Sequence, residues 1–189
     1  MKANFLGRYF VAMLLAGAGI AGASSHGQPP AEPRTDADLT RAVRHEILMY
    51  PKYSLWDDLG FRVSNGQVLL TGEVSQPFKR SDVERLVRNI PGVVGVSDEI
   101  KVLPLSPADD RLRMQVARAI FRDPALSRYS QGAVPSIHII VDNGHVTLEG
   151  VVATDMEKNV AGIRANGAGL SFGMVSNNLR VENPSPKKA

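Results

Sequence analysis

Asn143-Gly144 is a preferred pair for a type I′ hairpin turn, whose two central positions need positive φ. Counting outward from that turn, Asp142 faces His145 and His138 faces Glu149. A histidine opposite a carboxylate can relay a proton or supply half a metal site. Zinc needs several convergent ligands, and the chain has no cysteine to add. The other reading is an exposed cross-strand pair, worth about 0.2 to 1 kcal/mol. Two more carboxylate pairs, Asp57-Asp58 and Asp109-Asp110, are adjacent in sequence. Neighbours on a strand point to opposite faces, and neighbours on a helix lie about 100° apart. Neither pair therefore makes an acid/base couple. There is no thiolate, no glycine-rich phosphate loop and no G-x-S-x-G elbow. No catalysis, cofactor, metal or small-molecule substrate is expected.

A second constellation is built for binding. Arg111, Arg118 and Arg122 follow i, i+7, i+11 and share one face of a helix. Phe121, Arg128 and Tyr129 lie near its end. Arginines can hold phosphate while aromatic rings enter a headgroup layer. The plain alternative is a solvated helix face with Arg128 and Tyr129 in a loop. Tyr50, Tyr53 and Trp56 cluster earlier, either as a partner hot spot or as cover for a core edge.

These residues must be positioned by a repeat. Residues 63–72 (VSNGQVLLTG) recur as residues 141–150 (VDNGHVTLEG), and Leu39, Val43, Ile47 and Pro51 match Leu112, Val116, Ile120 and Pro124. Each copy reads as helix, strand, strand, helix, strand. Thr35 and Asp38 form a capping box before the Leu39/Val43/Ile47 stripe. Ser106-Pro107-Ala108-Asp109 opens the matching helix. Phe61, Val63, Val68 and Leu70 should be buried in one core; Ile139, Val141, Val146 and Leu148 should be buried in the other. Pro77 starts a helix with Val83, Leu86, Val87 and Ile90 inward and Lys79, Arg80, Glu84, Arg85 and Arg88 outward. Val93 to Leu103 supplies one third strand. Thr154 to Glu157 caps the last helix, which Gly162, Gly167 and Gly169 weaken. Gly72 and Gly150 match, as close backbone approach or a bulge requires. The fold class is α+β: two tandem domains, each with two helices on one face of a three-stranded mixed sheet. Separate cores imply that residues 36–104 fold alone.

The N-terminus reads as an export signal. Lys2 and Arg8 precede an uncharged run from Tyr9 to Ala23, which ends in Ala21-Gly22-Ala23. An uncleaved anchor is the rival, but the run is short for a span. The expected organisation is signal peptide 1–23, linker 24–35, first domain 36–104, second domain 105–183 and tail 184–189. Cleavage removes two of the 22 basic residues, leaving 20 against 19 acidic ones, a net charge of +1. That balance suits no nucleic-acid partner.

The residues just quoted resemble the BON domain. The likeness rests on Asn65-Gly66-Gln67-Val68-Leu69-Leu70-Thr71-Gly72 with the strand from Gly92 to Val102, and on their counterparts, residues 143–150 and 174–181. In the second copy Ser171-Phe172 stands where the family has glycine-valine. The resemblance implies non-catalytic binding modules in exported bacterial proteins, associated with phospholipid or envelope binding and with osmotic or envelope stress. It carries over no catalytic motif. The expected function is periplasmic: a module that recognises an anionic phospholipid surface or an envelope protein. The alternative is a chaperone-like protein that holds polypeptides on open sheet faces.

Overall fold

A computed structural model describes residues 34–132, 134–168 and 175–184 of the 189-residue chain. The signal peptide, nearly all of the linker and tail, Gly169, and the Ser171-Phe172 departure lie outside the described residues. Copy 1 comprises α1 (Asp36–Leu48), β1 (Asp58–Ser64), β2 (Gln67–Val74), α2 (Pro77–Arg88), β3 (Gly95–Asp98) and β4 (Lys101–Val102). Copy 2 comprises α3 (Pro107–Phe121), β5 (Ile137–Asp142), β6 (His145–Val152), α4 (Asp155–Ala168), β7 (Val175–Asn177) and β8 (Arg180–Val181). The loop before β5 contains a short 3₁₀ turn, Ser127–Ser130.

Each sheet is mixed. The first hairpin strand runs antiparallel to the second, in the register counted from the turns: Phe61 opposite Leu70, and His138 opposite Glu149. The third strand runs parallel to the second. Asn65 and Asn143 adopt φ of 51° and 50°, with Gly66 and Gly144 following at 74° and 81°, as a type I′ turn demands. A first-turn aspartate latches each turn to its helix. Asp36 accepts from the Asn65 and Gly66 N–H groups at 2.7 and 2.9 Å. Asp109 accepts from Asn143 and Gly144 at 3.1 and 2.9 Å. Asp109 is thus more than a favourable charge at a helix N-terminus.

Two cores form, each between a helix pair and one sheet face. One gathers Leu39, Val43, Ile47, Val68, Leu70, Val83 and Val87; the other gathers Val116, Ile120, Ile139, Val141, Val146, Leu148 and Ala161. Gly72 and Gly150 sit at φ of 105° and 113°, where a Cβ would lie 2.2 and 2.1 Å from the Asp58 and Ser136 carbonyl oxygens. The two glycines therefore let the first strand cross close over the second.

Several expectations need correction. The single strand from Val93 to Leu103 is two short ones. Between them the Glu99 N–H donates to the Leu70 carbonyl and Asp98 Oδ1 accepts from the Ile100 N–H at 2.9 Å, while the register against β2 is the same on both sides of the break. Asn178, Asn177 and Leu179 repeat the device. Phe61 and Val63 are only half-buried, because β1 is a sheet edge. Lys79 is buried, not outward. The glycine-bearing α4 does form; its inward face is Glu157, Ala161 and Ala165.

The copies are also less separate than two cores suggest. Leu55 and Trp56, in the loop before β1, pack against the core of copy 2. The Leu55 carbonyl accepts from the Ile139 N–H at 2.7 Å. Tyr53 stacks on His138, with ring centroids 5.3 Å apart, and Lys101 pairs with Asp142 at 2.6 Å. His138 and Ile140, on the sheet face expected to stay open, are both buried. The described residues of the two copies belong to one compact unit.

Candidate functional site

Helix α3 starts where Ser106 Oγ accepts from the Asp109 N–H at 3.2 Å and Pro107 fixes the first helical φ. Its buried face is Asp109, Arg113, Val116, Ala117 and Ile120. The opposite face carries Arg111, Met114, Gln115, Arg118 and Arg122, all exposed, with Met114 at 44%. Among the described residues, Arg111, Arg118 and Arg122 have no carboxylate partner. Four arginines on the helices of copy 1 differ: Arg41, Arg80, Arg85 and Arg88 reach Asp38, Asp98, Asp82 and Glu84. The copy 1 counterparts of the three free arginines are Asp38, His45 and Met49. Arg122 also borders a groove of ≈ 520 Å³ between the ends of α3 and α4, beside Ile163, which is 68% exposed, and the Arg164–Asp123 pair.

The other three sequence candidates lie elsewhere. Phe121 packs against the core of copy 2. Arg128 pairs with Glu157 at 2.5 Å and lies over the Tyr129 ring, 4.8 Å from its centroid. The Tyr129 hydroxyl donates to Glu157 at 3.0 Å and accepts from the Ala153 N–H at 2.8 Å. These groups fasten the loop before β5 to the start of α4. Burial alone would raise the Glu157 pKa, but hydrogen bonds from Tyr129 and Thr154, with Arg128 beside them, bring it below the ordinary glutamate value.

Copy 1 makes the same fastening with its charges exchanged. Lys79 occupies the place of Glu157, and Ser75 that of Ala153. Lys79 Nζ donates to Asp57 at 2.6 Å, and the Ser75 N–H donates to Asp57 at 2.8 Å. Asp57 also accepts from the Ser54 N–H and hydroxyl at 3.0 and 2.6 Å, and from the Ser75 hydroxyl at 2.8 Å. Burial pushes the Asp57 pKa up; the bonds from Lys79, Ser54 and Ser75 outweigh it and hold the carboxyl below its ordinary value. The sequence did carry a signal for the lysine of this pair. Lys79, Val83, Val87 and Ile90 follow i, i+4, i+8, i+11, which sets the lysine on the inward stripe.

The histidine cluster does not converge. His138 is buried against Tyr53 with Nδ1 unpartnered, Glu149 accepts from Asn178, and Asp142 pairs with Lys101. No group of three or more metal-ligating side chains occurs among the described residues. Tyr50 is buried and donates to Asp82 at 2.8 Å, and Trp56 belongs to the contact between the copies.

The sequence matches the BON domain family twice, over residues 35–104 and 108–183, together well over half of the chain. The chain belongs to the BON domain family. BON domains are associated with binding at the cell envelope, and they occur in periplasmic and envelope proteins. Among solved structures, the chain is similar to CdsD, a structural protein of the type III secretion system of Chlamydia trachomatis. The identity is 16%, over 78% of this chain and 93% of that one, with a TM-score of 0.27. A structure of the CdsD C-terminal domain gives 15% identity, over 78% of this chain and 99% of that one, with a TM-score of 0.28. Superposition at that level carries nothing about function. No curated protein matches the sequence. Among the described residues, no helix is long and apolar enough to cross a membrane.

Proposed function

We propose that this tandem BON protein is a non-catalytic binding module of the bacterial periplasm that holds an anionic phospholipid surface through α3. The observation that carries the reading is the stripe of Arg111, Arg118 and Arg122, exposed and without carboxylate partners among the described residues. Unpaired guanidiniums aligned on one face can each take a lipid phosphate, and Met114 and Ile163 supply apolar contact nearby. The groove beside Arg122 has room for a headgroup. Copy 1 lacks the stripe, so binding belongs to copy 2. Cosedimentation with phosphatidylglycerol and with phosphatidylcholine vesicles tests this. Sedimentation with the first alone is expected; equal behaviour with both would sink it. The second reading, a periplasmic protein-interaction or chaperone-like module, is favoured by one observation: the outward backbone groups of Phe61 and Val63 in β1 have no partner among the described residues.

A further inference from the structure

The outer edges of the two sheets are equivalent in geometry but not in occupancy. In a two-residue hairpin, alternate pairs face outward, so Phe61 and Val63 turn their N–H and C=O groups away from β2. Ile139 and Val141 do the same in β5. At β5 two of these four outward groups have partners among the described residues. The Ile139 N–H donates to the Leu55 carbonyl at 2.7 Å, and buried Arg113 donates to the Val141 carbonyl at 2.8 Å. Leu55 and Trp56 seat their side chains against the neighbouring core. The molecule thus shows one of these edges occupied by a peptide segment.

At β1 the same groups have no partner among the described residues. The counterpart of Arg113 is Thr40, whose hydroxyl donates to the Asp36 carbonyl within α1. A groove of ≈ 500 Å³ runs along this edge, lined by Leu59, Phe61 and Val63 together with Arg44, Arg62 and Arg180. All three arginines are exposed and lack a carboxylate partner among the described residues. Arg44 comes from α1, Arg62 from β1 and Arg180 from β8 of the other copy, so the groove belongs to the tandem and not to either domain alone. Among the described residues, none that lines it is acidic.

We propose that this groove docks an acidic segment of another polypeptide. The segment adds to the outer edge of β1 through backbone hydrogen bonds and sets its carboxylates against Arg44, Arg62 and Arg180. The site is independent of the α3 stripe and of the lipid reading.

The probe is a fluorescein-labelled peptide, Glu-Val-Glu-Thr-Glu-Val-Glu, capped at both ends, with the lysine-for-glutamate peptide as control. Fluorescence anisotropy at low salt with the full chain should show binding of the glutamate peptide only. The triple variant Arg44→Glu/Arg62→Glu/Arg180→Glu should weaken it by about tenfold or more, since three exposed charge pairs are lost and reversed. The variant Arg111→Ala/Arg118→Ala/Arg122→Ala should bind as the parent does. In the complex, hydrogen exchange at the Phe61 amide should slow. No binding, equal binding of both peptides, or no effect of the first variant would overturn the proposal. Full displacement by inorganic phosphate, with Phe61 exchanging as fast as in the free protein, would leave a bare anion site and overturn strand addition. Loss of phosphatidylglycerol-vesicle binding in the first variant would make this surface a membrane face instead.

Discussion

Lys79 and Glu157 sit at the same inward position of the two copies and carry opposite charges, each answered from the loop before the hairpin. The two fastenings should differ in cost when broken. Asp57→Asn leaves the Lys79 ammonium buried without a counter-charge, a loss of about 3 to 5 kcal/mol. Lys79→Met leaves Asp57 with four remaining donors, from the backbone and hydroxyls of Ser54 and Ser75. That loss should be roughly 1 to 2 kcal/mol. Urea denaturation of the two variants gives the order, and Lys79→Met costing more would refute this account of the pair. Asp57 also sets a pH dependence. Its folded pKa lies below the unfolded value near about 4, so the unfolded chain binds the proton more readily in that window. The stability it contributes is complete above the unfolded value and is lost as the pH falls through the folded one. A parent protein no more acid-sensitive than Asp57→Asn would contradict this. The inward stripe containing Lys79 was readable from spacing, whereas its partner Asp57 was not, because a loop carboxylate has no periodicity.

Elements were largely legible in the chain. Both Asn-Gly turns, the hairpin registers and the helix starts follow from local chemistry, which tertiary contacts here reinforce. The third strands were misread as continuous, because the Asp98 and Asn177 caps that break them look like ordinary polar positions of an alternating strand. Glycine carries two opposite meanings. Gly150 is required by backbone approach, so Gly150→Ala should destabilise copy 2 by more than about 2 kcal/mol. Gly167 lies in α4 with no atom of the described residues within 4 Å of where a Cβ would stand, so Gly167→Ala should stabilise it by about 0.5 to 1 kcal/mol. Thermal melts of both variants check the pair. A stabilising Gly150→Ala would mean that the strand crossing is not as close as described.

At the scale of the whole molecule, a repeat predicts two units and is silent about what joins them. Nothing in the spacing of Tyr53, Leu55 and Trp56 said that they serve the other copy. Trp56 is the sole tryptophan, so its fluorescence reports on that junction. Trp56→Ala should cost roughly 2 kcal/mol, felt in copy 2, and the parent should unfold in one transition. Two resolved transitions, with Trp56 following copy 1 alone, would contradict the docked arrangement. Residues 36–104 alone keep their own core but expose Leu55 and Trp56, so they should melt below the full chain. The membrane face is the central claim, and the arginine stripe was legible from its spacing. Its lack of acidic partners among the described residues, and the absorption of Phe121, Arg128 and Tyr129 into the fold, were not. The decisive measurement is vesicle binding by the parent and by Arg111→Ala/Arg118→Ala/Arg122→Ala, with circular dichroism to verify the fold. Each arginine near an anionic surface contributes about 1 kcal/mol, so the variant should bind phosphatidylglycerol vesicles roughly a hundredfold more weakly. The gap should close in 1 M salt, where the Debye length is about 3 Å. Equal binding by the two proteins at low salt would remove α3 from the mechanism.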